Sequence, residues 1–149
     1  MTPCPWPVQH LLPHAPPMVL LDEVLGYDDT GVHAAVTIGA GHPFLIGDSV
    51  PAHVGIELMA QACGAFAGVE ALAAGEPVRP GFLLGTRRFE ARVPCFHLGD
   101  RLEISVRVAL RDDQMACFDC EIRCAGALLA EARLNVYQPK ELDTLGGKE

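Results

Sequence analysis

The sequence predicts an α+β fold in which a long antiparallel sheet wraps around one central buried helix. Residues 51–74 are almost all apolar or small, which is typical of a membrane span or of a helix inside a protein core. Residues 102–111 alternate apolar and polar side chains, as expected for a strand with one buried face. At 149 residues, half of them hydrophobic, the chain suits a single domain over 1–149.

Two strands are predicted before the helix. Six prolines in residues 1–17 indicate an N-terminal arm around a short turn at 8–12, which Pro13 ends. Strands at 18–27 and 32–38 follow, and residues 28–31 between them have the composition of a hairpin turn. The loop 39–50 then leads into the helix.

The helix is predicted over 51–74, with Pro51 in its first turn and Gly75 and Pro77 marking its end. Its abundant Gly and Ala and the strand-rich remainder of the chain favour a protein core over a membrane. We therefore expect no membrane partner. The polar side chains of the helix are His53, Glu57, Gln61 and Glu70.

Four strands are predicted after the helix, at 82–91, 102–111, 114–124 and 128–138, in meander order. Turn residues at 111–113 and 125–126 separate the last three. The tail 139–149 is expected to be loose.

Charge and cysteine content narrow the function. With 11 Lys and Arg against 19 Asp and Glu, the net charge of −8 excludes a general nucleic-acid binder, which needs a basic field. The six cysteines lack zinc-site spacing, because Cys117 and Cys120 would point to opposite faces of a strand. Reduced thiols and the absence of a signal-peptide pattern predict a cytoplasmic protein without a metal.

Glu57 is the most informative residue for chemistry. It lies in the most apolar segment, where an ionised carboxylate is costly unless it is paired. Gln61, four residues on, lies on the same helix face and can hydrogen-bond it. Two hypotheses stay open: a structural carboxyl that caps the helix, or a carboxyl that burial keeps protonated and able to donate a proton.

His42 and His53 are the candidate partners of Glu57, because they flank the loop that enters the helix. A His–carboxylate pair in an apolar cleft could remove one proton and deliver another without a cofactor. The remaining histidines suit surface or turn positions: His10, His14, His33 and His97.

Four segments of the chain form a recognisable set: His-Leu-Leu-Pro-His-Ala-Pro-Pro-Met-Val-Leu-Leu-Asp-Glu-Val (10–24), Glu-Leu-Met-Ala-Gln-Ala (57–62), Arg-Phe-Glu-Ala-Arg-Val-Pro (88–94) and Leu-Gly-Asp-Arg-Leu-Glu-Ile (98–104). Together they resemble the hotdog-fold beta-hydroxyacyl-ACP dehydratases. The match covers roughly residues 8–138, and residues 50–61 are more similar to a divergent branch of dehydratase-like proteins encoded with aryl-polyene and fatty-acid-like pathways.

The resemblance implies removal of water from a 3-hydroxyacyl thioester on an acyl carrier protein, giving a trans-2-enoyl thioester. The family's site lies between two subunits and pairs a His of one with an acid of the other, here Glu57. The usual Gly-His-Phe-Pro motif is absent. Counting fourteen residues back from Glu57 reaches Pro43, so the neighbouring His42 is the predicted base and His53 the alternative. A different alignment places Asp48 at the histidine position.

The same resemblance implies where the substrate would bind. The backbone N–H of Ala52 is the expected donor to the thioester oxygen. The acyl chain is expected along small and apolar helix residues, which could equally be packed core. The implied substrate-binding residues are Ala52, Ile56, Met59, Gln61 and Cys63, with Ala60 and Phe66 along the path.

Two other functions stay open: a hotdog acyl thioesterase, or a non-catalytic carrier-binding subunit of a dehydratase heterodimer. We expect either a homodimer or a heterodimer with a related hotdog subunit. Residues 79–111 carry seven arginines and three acidic residues, a basic segment in an acidic chain. An acidic carrier protein could dock there, and Arg87 and Arg88 are the residues predicted to receive it.

Overall fold

A seven-stranded antiparallel sheet wraps around one helix in the computed structural model, which describes residues 1–15 and 17–139. The helix α1 spans Gly55–Ala73 and follows a 3₁₀ turn at Ala52–Val54. The strands are β1 (Thr2–Pro3), β2 (Glu23–Tyr27), β3 (Gly31–Thr37), β4 (Ser49–Pro51), β5 (Phe82–Ala91), β6 (Cys95–His97), β7 (Arg101–Asp112), β8 (Met115–Cys124) and β9 (Ala127–Tyr137). The predicted α+β class is confirmed.

The strand order is β1-β2-β3-β7-β8-β9-β5, with β4 and β6 forming a separate pair. The predicted meander is therefore wrong for β5, which pairs with β9 at the far edge of the sheet and not with β7. β7 instead pairs with β3 and joins the N-terminal hairpin to the C-terminal strands. The connection through α1 leads the chain across the sheet to β5. Local sequence patterns do not specify which strand β5 then pairs with.

Two predicted elements begin later than expected. β2 begins at Glu23, because the backbone groups of Met18 and Leu20 bond the side chain of Gln61 and not a neighbouring strand. The helix begins at Gly55, because Pro51 pairs with Cys95 in the small β4–β6 sheet.

The helix supplies one side of the hydrophobic core and the inner face of the sheet supplies the other. Leu58, Met59 and Phe66 are at most 1 % exposed, as are Ile104 and Ile122 on the facing strands. The segment Ala52–Ala73 has the length and composition to cross a membrane, with a mean hydropathy of 1.3. Its apolar character is explained by burial inside the sheet, so the helix is core and not a membrane span.

The N-terminal arm packs on the helix. Leu11 is fully buried, and a Cβ at Gly68 would lie 2.2 Å from the Leu11 carbonyl oxygen. Only glycine permits this approach, and at Gly64 the nearest arm atom, from Leu12, would be 3.3 Å away. Gly64 and Gly68 thus provide the space in which the arm packs on the helix. The predicted loose tail falls, from residue 140 onward, outside the described residues.

β5 is an edge strand with an unusual surface. Its one strand neighbour among the described residues is β9, and Phe82, Leu83 and Leu84 at its start are 44 %, 42 % and 56 % exposed. A bulge between Arg87 and Glu90 interrupts the pairing, with Arg88 at a positive φ of 53°. An open backbone edge beside exposed apolar side chains is suited to pairing with another chain.

Candidate active site

The carboxyl of Glu57 is held by a side chain that is itself fixed by the backbone. Gln61 is 1 % exposed, and its amide oxygen accepts a hydrogen bond from the Leu20 N–H at 2.8 Å. Its amide nitrogen donates to the Met18 carbonyl at 2.6 Å and to Oε2 of Glu57 at 3.0 Å. Because the Leu20 N–H determines which end of the amide is oxygen, the group facing Glu57 must be a donor.

Glu57 is less buried than its sequence context suggests. Its side chain is 40 % exposed, although its neighbours Leu58 and Met59 are fully buried. The carboxyl therefore lies at the surface of the single chain, on the open side of the helix. Nδ1 or Nε2 of a histidine is expected beside it, and the structure places one there that was not predicted: Nε2 of His14, 3.9 Å from Oε2.

His42 lies in the loop between β3 and β4, and no hydrogen bond or ion pair within the described chain joins it to Glu57. Its Nδ1 accepts a hydrogen bond from the Phe44 N–H at 3.1 Å. Its Nε2 is buried and without a partner among the described residues. Burial lowers the pKa of His42, and the negative charge of Asp22 opposes part of that effect.

The His42 ring lines a groove of about 310 Å³ between the arm and the end of β3. Pro17, Leu20 and Asp22 line it from one side, and Thr37 and Pro43 from the other. Leu20 also anchors Gln61, so this groove borders the backbone that fixes the Glu57 amide partner. The two predicted catalytic residues thus share a neighbourhood but not a contact.

Two predicted roles fit the structure poorly. His53 is exposed in the 3₁₀ turn before the helix, and its side chain makes no hydrogen bond or ion pair within the described residues. The N–H of Ala52 already donates to the Pro94 carbonyl at 3.1 Å, so it is not free for a thioester oxygen. In this conformation the Ala52 N–H is bonded to the segment that precedes β6, and the role of Ala52 stays a prediction.

The predicted acyl-binding residues separate into two groups. Met59 and Gln61 are buried in the core and in the Glu57 anchor, while Ile56 is half-buried on the helix surface. Cys63 lines a cavity of about 220 Å³ beside the second half of the helix, together with Phe66. The expected path along the helix therefore has space at its distal end, next to Phe118 and Arg111.

The arginines differ in their pairing. Within the described chain, Arg87 and Arg88 have no acidic partner, whereas the other seven arginines each form an ion pair. These two arginines lie at the bulge of the edge strand β5. The residues predicted to receive a carrier protein thus form no ion pair, although Arg88 lines a groove together with Glu90, Asp119, Glu121 and Glu131. No cluster of His, Cys, Asp and Glu suited to a metal occurs in the part of the chain described.

The interaction that sequence reasoning missed is that of His14. The sequence predicts the N-terminal arm, and the four-residue spacing predicts the Gln61–Glu57 pair. It does not predict that the arm packs beside that pair. A usable signal was present: Gly64 and Gly68 of the helix lie on the face that continues from Glu57 and Gln61.

Comparison with known proteins identifies the family. Residues 6–146 match the family described as ApeP-like, ApeP dehydratase. The chain is 32 % identical over 133 residues to a 3-hydroxyacyl-[acyl-carrier-protein] dehydratase FabZ of Allorhizobium ampelinum, covering 84 % of this chain and 82 % of that one.

Solved structures support the same family. The dehydratase heterocomplex ApeI:P of Xenorhabdus doucetiae contains a chain that is 38 % identical, with a TM-score of 0.89 and coverage of 95 % and 96 %. A hypothetical thioesterase of Streptococcus pneumoniae, solved with coenzyme A, is 14 % identical, with a TM-score of 0.62 and coverage of 78 % and 84 %. That second likeness shows the hotdog fold alone. The hotdog prediction is confirmed, and the chain belongs to the ApeP-like dehydratase family.

Proposed function

We propose that this protein is a 3-hydroxyacyl-[acyl-carrier-protein] dehydratase that removes water from a 3-hydroxyacyl thioester to give a trans-2-enoyl thioester. The observation that carries the proposal is the carboxyl of Glu57, fixed by Gln61 at the open face of the core helix in a chain of a dehydratase family. A carboxyl held in a fixed orientation is what proton transfer to a leaving hydroxyl requires.

In the proposed reaction His42 takes the proton from the carbon next to the thioester carbonyl. The electron pair of that C–H bond forms the C2–C3 double bond, and the C3–OH bond breaks. Glu57 donates a proton to the departing hydroxyl, which leaves as water. For Nε2 of His42 to accept a proton, the ring hydrogen must lie on Nδ1, so the Phe44 N–H must first release Nδ1.

The two proton-transferring groups are proposed to come from different subunits. Glu57 and His42 do not touch within the described chain, and Glu57 faces outward with 40 % of its side chain exposed. The β5 edge, with its exposed Phe82 and Leu84, offers the surface for a second hotdog subunit. The ApeI:P dehydratase of Xenorhabdus doucetiae is a heterocomplex, which supports a heterodimer with a related hotdog subunit as the alternative to a homodimer.

A second candidate function, a non-catalytic carrier-binding subunit, is favoured by the state of His42. Its Nδ1 accepts the Phe44 N–H, so the neutral ring carries its hydrogen on Nε2, the nitrogen that would have to accept the substrate proton. In that case a partner subunit supplies the chemistry. In either case the protein is proposed to work in the cytoplasm, consistent with six free thiols.

The test is turnover of a purified 3-hydroxyacyl carrier thioester, alone and with an added hotdog partner. Formation of the enoyl thioester supports the dehydratase, release of the free carrier thiol indicates a thioesterase, and binding without turnover indicates the accessory subunit. We expect Glu57→Gln to lower kcat by about 10²- to 10⁴-fold. Glu23→Gln, an exposed carboxyl paired with Arg101, is the control and keeps the wild-type rate.

The base is tested by comparing His42→Ala with His53→Ala. Loss of activity with the first and retention with the second supports His42. The reverse result transfers the role to the exposed His53. A near-normal kcat for Glu57→Gln would refute the proposed proton transfer.

Arg87 and Arg88 are proposed to receive the acidic carrier protein. They are the arginines of the described chain that form no ion pair, and they lie on the same edge strand as the exposed apolar residues. We expect Arg87→Gln with Arg88→Gln to raise KM for the carrier-bound substrate by roughly tenfold at low salt, with little effect on the matching coenzyme A thioester. Arg101→Gln with Arg123→Gln removes two paired arginines and is the control. Equal effects of the two pairs would refute a specific docking role.

A further inference from the structure

From the arrangement around Glu57 we infer that His14, in the N-terminal arm, is a positioning residue that holds the Glu57 carboxyl in its working orientation. The inference rests on the proposed role of Glu57. Nε2 of His14 lies 3.9 Å from Oε2 of Glu57, the same oxygen that receives the Gln61 N–H at 3.0 Å. Oε2 of Glu57 therefore accepts one hydrogen bond, from Gln61, and lies within ion-pair distance of the His14 ring.

The position of His14 is set by anchors on both sides of it in the chain. On the N-terminal side, Leu11 and Leu12 are buried against the helix, with the Leu11 carbonyl seated on Gly68. On the C-terminal side, Met18 and Leu20 are hydrogen-bonded to the buried amide of Gln61. The arm is thus fixed before and after His14. These anchors place the His14 ring beside the turn of the helix that bears Glu57.

The arrangement assigns different tasks to the two oxygens of Glu57. Oε2 is occupied by Gln61 and faces His14, so it acts as an acceptor toward the protein. Oε1 has no hydrogen-bond partner within the described residues and is left to exchange a proton with the substrate. His14 touches no reacting atom in this scheme. It acts through Glu57 by preventing rotation of the carboxyl, which is 40 % exposed and otherwise held by one hydrogen bond.

A half-exposed ion pair contributes little to stability, so the expected effect of His14 is on rate. We expect His14→Ala to lower kcat about tenfold with KM changed less than twofold, because a misdirected catalytic group costs rate and not ground-state binding. His14→Gln keeps an N–H donor and should recover a large part of the loss. His10→Ala removes the other arm histidine, at the end of the turn at Val8–His10, and should keep the wild-type rate.

The double variant separates positioning from a merely structural role. If His14 acts through Glu57, His14→Ala adds no further loss in a Glu57→Gln background. Melting of His14→Ala should stay within a few degrees of wild type. A wild-type kcat for His14→Ala, an additive loss in the double variant, or no recovery by His14→Gln overturns the inference while leaving the dehydratase proposal intact.

Failure of the proposed function has a different signature. If wild-type protein, alone and with its partner subunit, forms no enoyl thioester, both proposals fall together. The contact itself can be checked without turnover, because Glu57→Gln should move the NMR signals of the His14 ring and leave those of His10 in place. Unchanged His14 signals contradict the geometry from which the inference is drawn.

Discussion

The turn of α1 that carries Glu57 and the loop that carries His42 are held in opposite ways. Glu57 is tied through Gln61 to two backbone groups of the arm, and Gln61 itself is 1 % exposed. The His42 loop carries three glycines, at 39, 41 and 47, where an added Cβ would meet nothing within 4 Å. Ile46 in the same loop is 70 % exposed.

The two halves of the candidate site therefore differ in how far the single chain fixes them. One half of the candidate site is preorganised inside the single chain, by packing and hydrogen bonds that also hold the fold together. The other half lies in an open loop whose apolar side chains Phe44 and Ile46 are 38 % and 70 % exposed, and the Phe44 ring leans against the ring of His42. A second subunit covering that loop would complete the site. Substitutions on the Glu57 turn and in the His42 loop test the two halves separately.

The largest effect on stability and rate is expected at the Glu57 turn, from Gln61→Leu. The substitution nearly keeps the side-chain volume but leaves the Leu20 N–H and the Met18 carbonyl without their partner. We expect the free energy of unfolding to fall by about 2 to 3 kcal/mol, and kcat to fall with it because Glu57 loses its donor. Urea unfolding and turnover measure the two effects.

Gln9→Leu is the control for this prediction, because Gln9 is exposed in the 3₁₀ turn of the arm. It should change the free energy of unfolding by no more than about 0.5 kcal/mol. If Gln61→Leu is equally mild, Gln61 does not anchor the arm, and the contrast between the two regions loses its basis.

A smaller effect is expected on the loop side, from the protonation of His42. Since the folded-state pKa of His42 is lowered by burial, the unfolded chain binds a proton at a higher pH than the folded chain does. The stabilisation that the neutral ring allows is therefore complete above the ordinary histidine value of about 6.5, and it is lost as the pH falls from there through the lowered folded value. Melting curves of wild type should show this loss.

His42→Asn should remove the corresponding part of the pH dependence, while His53→Asn, at an exposed position, should leave it unchanged. Binding of a second subunit over the loop should deepen burial and enlarge the difference. Identical pH profiles for wild type and His42→Asn would mean that the loop does not desolvate the ring.

Much of the fold could be predicted because its signals are local. The alternation of Leu102, Ile104 and Val106 with polar residues matches a buried inner face, since all three are at most 1 % exposed. The alternation fails at Leu110, which is 69 % exposed, because the register shifts between Val108 and Leu110 and turns the side chain to the outer face. A bulge leaves no clear mark in the sequence pattern.

The candidate site was predictable to the extent that its contacts are close in sequence. The Glu57–Gln61 hydrogen bond follows from the four-residue spacing on a helix. The contact of His14 with Glu57 joins residues 43 positions apart, and the Ala52 N–H meets Pro94 from another strand connection. Both contacts join distant parts of the chain, so the local sequence around either residue does not predict them.

The sequence by itself therefore determined the central helix, the strands around it and the acid–amide pair, because helix and strand periodicity fix which side chains share a face. The tertiary structure decided the edge position of β5, the placement of His14 against Glu57 and the separation of Glu57 from His42. Those features depend on how the arm and the helix connection pack across the sheet, where steric fit at Gly68 and hydrogen bonds to Gln61 select one arrangement.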